Sequence, residues 1–325
     1  MSSIEAHSAD EEQNSAADGQ TITIAGAGSI GVAFSVLFAL AGYQVRVWDA
    51  FSQTFRRAQD DFDARMSLMS DFGLLKEAAH VVRDRVSYHE RLDDAVADAV
   101  LVQECIPEQL KLKQALFMQL ASLATGGTVL ASSTSALTPT ALGEGTGAQD
   151  RIIVGHPGNP PYLLPVIEVV PTEFTSPIVT QHASEIYAQA GLKPVLVRRE
   201  VEGFVFNRLQ GALLREAYCL VRDGVASVED IDDLVRLGLG RRWSVIGPFE
   251  TADLNTRGGI ASHAEKMGPA YERMGAERGQ HDPWSKELVE DVTRQRRALL
   301  SLDDWAARVR WRDEQLLRAL ASENS

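Results

Sequence analysis

Thr21 to Ala25 is a short β-branched run that ends directly in Gly26-Ala27-Gly28-Ser29-Ile30-Gly31. An apolar helical stretch from Val32 to Ala41 follows, with Gly42 where a helix would stop. A second strand-like run, Gln44 to Trp48, then closes on Asp49. A glycine-rich turn alone is common. Strand, glycine turn, helix, strand and acid in that order are not, and they constrain the chain to an α/β sheet. Gly26 permits a tight turn, Gly28 lets the backbone approach a diphosphate, and Gly31 lets the helix pack closely on the strand. Amides at the helix start then face the diphosphate, aided by the helix dipole. Asp49 follows Gly31 by 18 residues, where a carboxylate accepts hydrogen bonds from ribose hydroxyls and repels a 2′-phosphate. The expected cofactor is NAD rather than NADP.

The alternation continues. Phe51 to Val86 carries helical spacing and many charges and reads as a helical excursion. Ala99 to Gln103 reads as a buried strand, Gln109 to Ala124 as an amphipathic helix, and Thr128 to Ser132 as a strand. Such alternation predicts a parallel sheet with helices on both faces. Beyond about residue 200 strand signals vanish, and Val205–Arg222, Ser227–Leu237, Pro283–Leu300 and Asp304–Ala321 all read as helices. The expected fold is α/β: a Rossmann-type doubly wound sheet over 21–202, followed by an all-α domain over 203–325. Residues 1–20 are polar and lack the basic and apolar regions of a secretory signal, so they read as a disordered tail.

Composition narrows the partners. The formal net charge is −13, which argues against nucleic acid, since phosphate binding needs a basic face. No run of about 18 apolar residues exists to span a membrane. Cys105 and Cys219 lie far apart without metal-ligand spacing, so no metal is expected and a reducing, cytoplasmic compartment fits. The helical domain, roughly 120 residues, has a limited core of its own. It carries Trp243, Phe249, Trp305 and Trp311, and the expectation is a homodimer built on shared helix faces.

The chemistry gathers in Ile152–Val170, where two apolar runs flank a proline-rich loop. His156 ends the first run and Glu168 lies in the second, so strands side by side bring them together. A carboxylate on one ring nitrogen fixes the tautomer and raises the basicity of the other, which is how a general acid/base is built. The pair alone serves equally well as a structural histidine capping a turn. Glu108 and Lys113 flank a helix start at the strand ends where such sheets bind ligands, although an ordinary solvated helix start has the same pattern. Ser132 to Ser135 can line a crevice or cap a helix. Asn207 reads by position only as a polar helix residue. Arg241 or Arg242 can pair with a substrate carboxylate or form a surface salt bridge.

These segments resemble the 3-hydroxyacyl-CoA dehydrogenase superfamily over nearly the whole chain after the tail. The resemblance rests on Gly26–Gly31, Glu108–Lys113, Ser132–Leu137, His156-Pro157-Gly158-Asn159-Pro160 and Gly203–Leu209. It implies a His156–Glu168 pair handling the proton, with Ser135 and Asn207 holding the substrate oxygen. It implies cofactor contacts at Ser29, Ile30, Asp49, Glu108 and Lys113. Asn159 and Arg242 are the candidate substrate contacts. Gly238–Trp243, Ile246–Thr251 and Trp311–Glu314 are most similar to the lambda-crystallin branch, that of L-gulonate 3-dehydrogenase; Tyr162–Pro165 and Leu239–Ser244 also resemble L-carnitine dehydrogenase. Homodimers are usual in that family. Gly158 replaces a larger apolar residue and is expected to open space beside His156.

The expected function is NAD-dependent oxidation of the 3-hydroxyl of a small hydroxy acid. The alternatives are a 3-hydroxyacyl-CoA dehydrogenase, an L-carnitine dehydrogenase, or a crystallin-like NAD-binding structural protein. A CoA substrate would need basic residues on its phosphates. Arg56, Arg57 and Arg65 lie where such a grip can form, among several aspartates that weaken it.

Overall fold

The computed structural model describes residue 17, residues 19–244, 246–254 and 259–279, and isolated positions between 287 and 321. One eight-stranded sheet runs in the order β3-β2-β1-β4-β5-β6-β7-β8. Its strands are β1 Thr21–Ala25, β2 Gln44–Trp48, β3 Val86–His89, β4 Ala99–Glu104, β5 Val129–Ser132, β6 Ile152–Pro157, β7 Val166–Val170 and β8 Lys193–Leu196. Side chains alternate across the sheet. Ile22, Ile24, Leu101, Val129, Ala131 and Ile153 enter one core layer, while Ala25, Val102, Leu130, Ile152 and Val154 enter the other. Helices α1 (Ser29–Leu40), α2 (Thr54–Asp71) and α7 (Pro177–Gln189) cover the first layer. Helices α4 (Leu92–Val96) and α5 (Leu110–Leu123) cover the second, and the short α3 (Ala79–Asp84) and α6 (Pro139–Gly143) complete the set.

The expected parallel sheet holds from β3 through β6 and then changes. β6 and β7 pair antiparallel, with His156 opposite Glu168. The connection 158–165 is too short for the dozen or more residues a parallel crossover needs. β8 runs parallel to β7. Two further corrections concern local structure. Val86–His89 is a strand, so the helical excursion expected over Phe51–Val86 stops short of Val86. α7 and β8 fold from the stretch between β7 and residue 200, for which no element was expected.

β1 has β2 on one side and β4 on the other, so the chain direction of the winding switches there. Ligand crevices in such sheets open at that point, outside the carboxyl ends of the strands. The turn after β1 fits that role. Gly26 has φ of 121°, and a Cβ there would lie 2.8 Å from the Cys105 carbonyl. A Cβ on Gly31 would lie 1.9 Å from the Gly26 oxygen, so only glycine lets α1 sit this close to the strand.

The chain divides into two compact units, Met1–Asn207 with Trp311–Ser325, and Arg208–Arg310. The described residues of the second unit are helical and carry no strand. They continue α8 (Phe206–Arg222) and include α9 (Val228–Asp233), a π-helical turn Leu234–Leu239, α10 (Gly240–Trp243), α11 (Pro248–Leu254) and α12 (Gly259–Arg278). Ser227 and Asp230 form a reciprocal capping box on α9. Arg278 ties α12 back to α8 through Glu216 at 3.0 Å and through Asp223. Of the stretch expected to be disordered, Ala17 is buried in the core and the Gln20 carbonyl accepts from the Gln44 amide; residues 1–16 and Asp18 lie outside the described residues. The helices expected over Pro283–Leu300 and Asp304–Ala321, Trp305 included, also fall largely outside them.

Candidate active site

The start of α1 has the properties of a diphosphate cradle. Gly28 is its N-cap residue, no side chain caps it, and no acidic residue lies in its first turn. Its first amides are therefore left for another partner. Nothing lies within 4 Å of a Cβ placed on Gly28, so the approach is open. Asp49, at the end of β2, accepts from the Ala27 amide at 2.8 Å and from the Phe51 amide at 3.0 Å. Each carboxylate oxygen holds more than one acceptor site, so capacity for ribose hydroxyls remains. These residues fit an adenine dinucleotide.

A cavity of about 260 Å³ gathers several of the expected residues in one wall: Ile30, Glu108, Lys113, Ser135, His156 and Asn159. Ile30 belongs to the first turn of α1, so the cavity adjoins the cradle. Asn207 joins through its amide, which donates to the Ser135 carbonyl at 2.8 Å. Arg242 lies on α10 in the second unit, where it is exposed.

His156 ends β6 and Glu168 sits on β7, and their register carries Nδ1 to 2.7 Å from Glu168 Oε2. Both side chains are about 95% buried. An ionised carboxylate only accepts, so Nδ1 carries the proton and Nε2 is left as a base. The other oxygen, Oε1, accepts from the Val205 amide at 2.7 Å and the Phe206 amide at 3.0 Å. Phe204, fully buried, places its ring 5.5 Å from the imidazole, and Phe206 lies edge-on at 6.1 Å. The dyad is thus held on the carboxylate side and walled by aromatic rings.

Lys113 departs from the picture of a solvated helix start. It is 1% exposed, and Nζ donates to Glu104 Oε1 at 2.7 Å and to the Ile106 carbonyl at 3.0 Å. Glu104 ends β4 fully buried; it also accepts from the Ile106 amide at 2.7 Å and from the Ser132 hydroxyl. Burial pushes the Glu104 carboxyl up, while Lys113 and these donors pull it back. Sequence reasoning missed Glu104. The available signal was a charged residue closing an otherwise apolar strand, with a lysine on the next helix.

Glu108 accepts from the Thr134 hydroxyl and from the Ser135 amide at 3.0 Å, and so holds the turn that presents Ser135. Burial pushes the Glu108 carboxyl up, but Thr134, Lys113 and the Ser135 amide outweigh it and hold it below the usual carboxylate range.

Two expectations about space and charge change. Gly158 does not open the pocket. A Cβ there would lie 2.9 Å from Leu164 Cβ and 3.2 Å from Val166 Cγ1, so neighbouring side chains fill the volume. Arg65 is engaged locally: its guanidinium grips Asp61 at 2.8 and 3.0 Å, donates to Ser29 Oγ at 2.9 Å and lies over the Tyr162 ring. Arg56 pairs with Asp60 at 3.2 Å. Among the described residues, no group of three or more His, Cys, Asp or Glu side chains is placed to hold a metal ion, and no helix is long and apolar enough to cross a membrane.

The model of the 3-hydroxyacyl-CoA dehydrogenase NAD-binding domain matches residues 21–201, and that of the 3-hydroxyacyl-CoA dehydrogenase C-terminal domain matches 203–298. The human lambda-crystallin homolog is 36% identical over 302 residues, covering 91% of this chain and 94% of that protein. L-carnitine dehydrogenase of Streptomyces griseus is 39% identical over 254 residues, 78% of this chain and 75% of that protein. Among solved structures, 5-formyl-3-hydroxy-2-methylpyridine 4-carboxylic acid 5-dehydrogenase, described as an NAD+-dependent dismutase, superposes with a TM-score of 0.76 at 28% identity. That match covers 92% of this chain and 98% of the other.

The buried Glu104–Lys113 pair yields a stability prediction. Lys113→Met removes one partner and leaves the Glu104 charge uncompensated, at an expected cost of about 3–5 kcal/mol in urea unfolding. Adding Glu104→Gln should recover part of that loss. A cost below about 1 kcal/mol for the single variant would mean that the pair is solvated.

Proposed function

The chain belongs to the 3-hydroxyacyl-CoA dehydrogenase family, and we propose that it oxidises the 3-hydroxyl of a small free hydroxy acid, of the L-gulonate or L-carnitine kind, with His156 as general acid/base. The observation that carries this reading is the 2.7 Å contact from His156 Nδ1 to Glu168, in the wall of a cavity that also holds Ser135 and Asn159. Residues 21–201 are the NAD-binding domain.

Oxidising a secondary alcohol removes a hydroxyl proton and a hydride from the same carbon. Bound NAD+ supplies the hydride acceptor. His156 Nε2 takes the proton, and Glu168 stabilises the imidazolium that results. Ser135 offers its hydroxyl to the substrate oxygen. Asn207 gives one amide hydrogen to the Ser135 carbonyl and keeps a second for the substrate. Asn159 lines the same wall and is available to the rest of the acid.

A free acid is favoured over a CoA thioester on two grounds. Arg65 and Arg56 are engaged by Asp61 and Asp60. Two of the similar proteins are named for L-carnitine and for a pyridine carboxylic acid, both free carboxylates. Arg242 is the proposed partner of that carboxylate, because a guanidinium fork suits its geometry. The proposed assembly is a homodimer through the second unit, whose Leu234, Leu237, Trp243 and Phe249 are exposed. Two cysteines far apart in the sequence, Cys105 and Cys219, fit the proposed cytoplasmic location.

The test is NADH appearance with L-gulonate, L-carnitine, 3-hydroxybutyrate and 3-hydroxybutyryl-CoA. Turnover should be greatest with a free acid, and strong preference for the thioester would select the CoA reading. His156→Ala should lower kcat by about 10²–10⁴ while NAD binding survives; normal turnover would make His156 structural. Arg242→Met should raise KM for the free acid by the loss of a charged hydrogen bond, about 1.5–3 kcal/mol, and an unchanged KM would remove it from the site. Light scattering should give twice the 35.5 kDa chain mass, and a monomer at all concentrations would rule out the dimer.

A further inference from the structure

The cavity wall that faces the cofactor cradle carries an unbalanced charge. Glu104, Lys113 and Glu108 form one cluster, but Lys113 is not shared evenly. Its Nζ lies 2.7 Å from Glu104 and 3.3 Å from Glu108, and Glu104 and Lys113 are both fully buried. Glu104 is therefore the nearer partner of the ammonium. Every neighbour of the Glu104 carboxylate is a donor: Lys113, the Ile106 amide and the Ser132 hydroxyl, which itself accepts from the Thr134 amide. These donors oppose the burial that raises the Glu104 carboxyl, and a single ammonium stands between two carboxylates.

Glu108 is different. Its side chain is 43% exposed and lines the cavity together with His156. The Thr134 hydroxyl and the Ser135 and Ala136 amides also donate to it, but none of them is charged. One ammonium thus serves two carboxylates, and Glu108 is the one that lines the cavity on the cofactor side. On the β6–β7 side the cavity has another carboxylate, Glu168, behind the imidazole.

We propose that Glu108 is a redox-state selector: its charge favours the oxidised, positively charged nicotinamide over the neutral reduced ring. This rests on the cavity being the chemical site of the dehydrogenase. The two carboxylates then have matched tasks. Before reaction the positive charge belongs to the nicotinamide and is near Glu108. After reaction it belongs to the imidazolium and is beside Glu168. Charge crosses the cavity between two fixed anions, so neither state is left without a counter-charge. The reduced ring carries no charge for Glu108 to attract and leaves more readily.

The test is the ratio of dissociation constants, Kd for NADH over Kd for NAD+, measured without substrate by NADH fluorescence and by competition. Glu108→Gln and Glu108→Ala remove the charge and should each lower that ratio on the order of tenfold, as expected for losing a unit charge at close range in a partly desolvated site. Glu108→Asp keeps the charge and disturbs the turn, so it should leave the ratio within about twofold even where both affinities fall. Equal weakening of both forms in the neutral variants would overturn the proposal and leave Glu108 only a positioning residue for Ser135. Failure of the unaltered protein to bind either form would overturn the dinucleotide reading itself. Tight binding without turnover on any hydroxy acid would overturn the proposed activity but not the ratio.

Discussion

Glu168 is the residue on which the arrangement turns. One oxygen fixes the His156 ring, and the other accepts the amides of Val205 and Phe206. Those amides point at a single oxygen because Gly203 and Phe204 both have positive φ, 75° and 50°. Left-handed backbone at a phenylalanine is costly and needs support, which burial of its ring and the carboxylate both provide. The same turn begins α8, whose Asn207 holds the Ser135 carbonyl. A buried carboxylate with three donors is satisfied. Removing any one of the three would loosen the histidine, the turn and the serine together.

The sheet makes this possible. β7 runs against β6, and only that direction sets Glu168 beside His156 with so short a loop between them. On the other side of the cavity, β4 and β5 run parallel and end in Glu104 and Ser132, which bond to each other. Polar groups are therefore concentrated where the central strands stop, while β1, β4, β5 and β6 themselves are largely apolar and buried on both faces. The site is a consequence of where the hydrophobic layers end.

Much of the cofactor half is legible in the residues, because its constraints are local. Gly26, Gly28 and Gly31 answer to a turn, an approach and a packing distance within six residues of chain. The adjacency of His156 and Glu168 also follows from two apolar runs and a stiff loop. What is not legible depends on how side chains and strands pack rather than on the local spacing of residue types. Lys113 looked solvated because its counter-charge comes from the strand before its helix and its burial from the packed layer. Gly158 looked like an opening because glycine has no side chain, yet Leu164 folds back into the volume. Val86–His89 became a strand because β2 offered an edge, not because its own pattern was strong.

In the proposed chemistry Glu168 makes His156 a base by holding the proton on Nδ1. The decisive variant is Glu168→Gln. The amide can keep its oxygen on the Val205 and Phe206 amides and turn its NH₂ toward Nδ1, which forces the other tautomer and leaves no base at Nε2. This variant should fold and bind NAD with kcat lowered by about 10³-fold or more, the scale of a wrong-tautomer histidine. A kcat close to that of the unaltered protein would mean that Glu168 does not set the His156 tautomer.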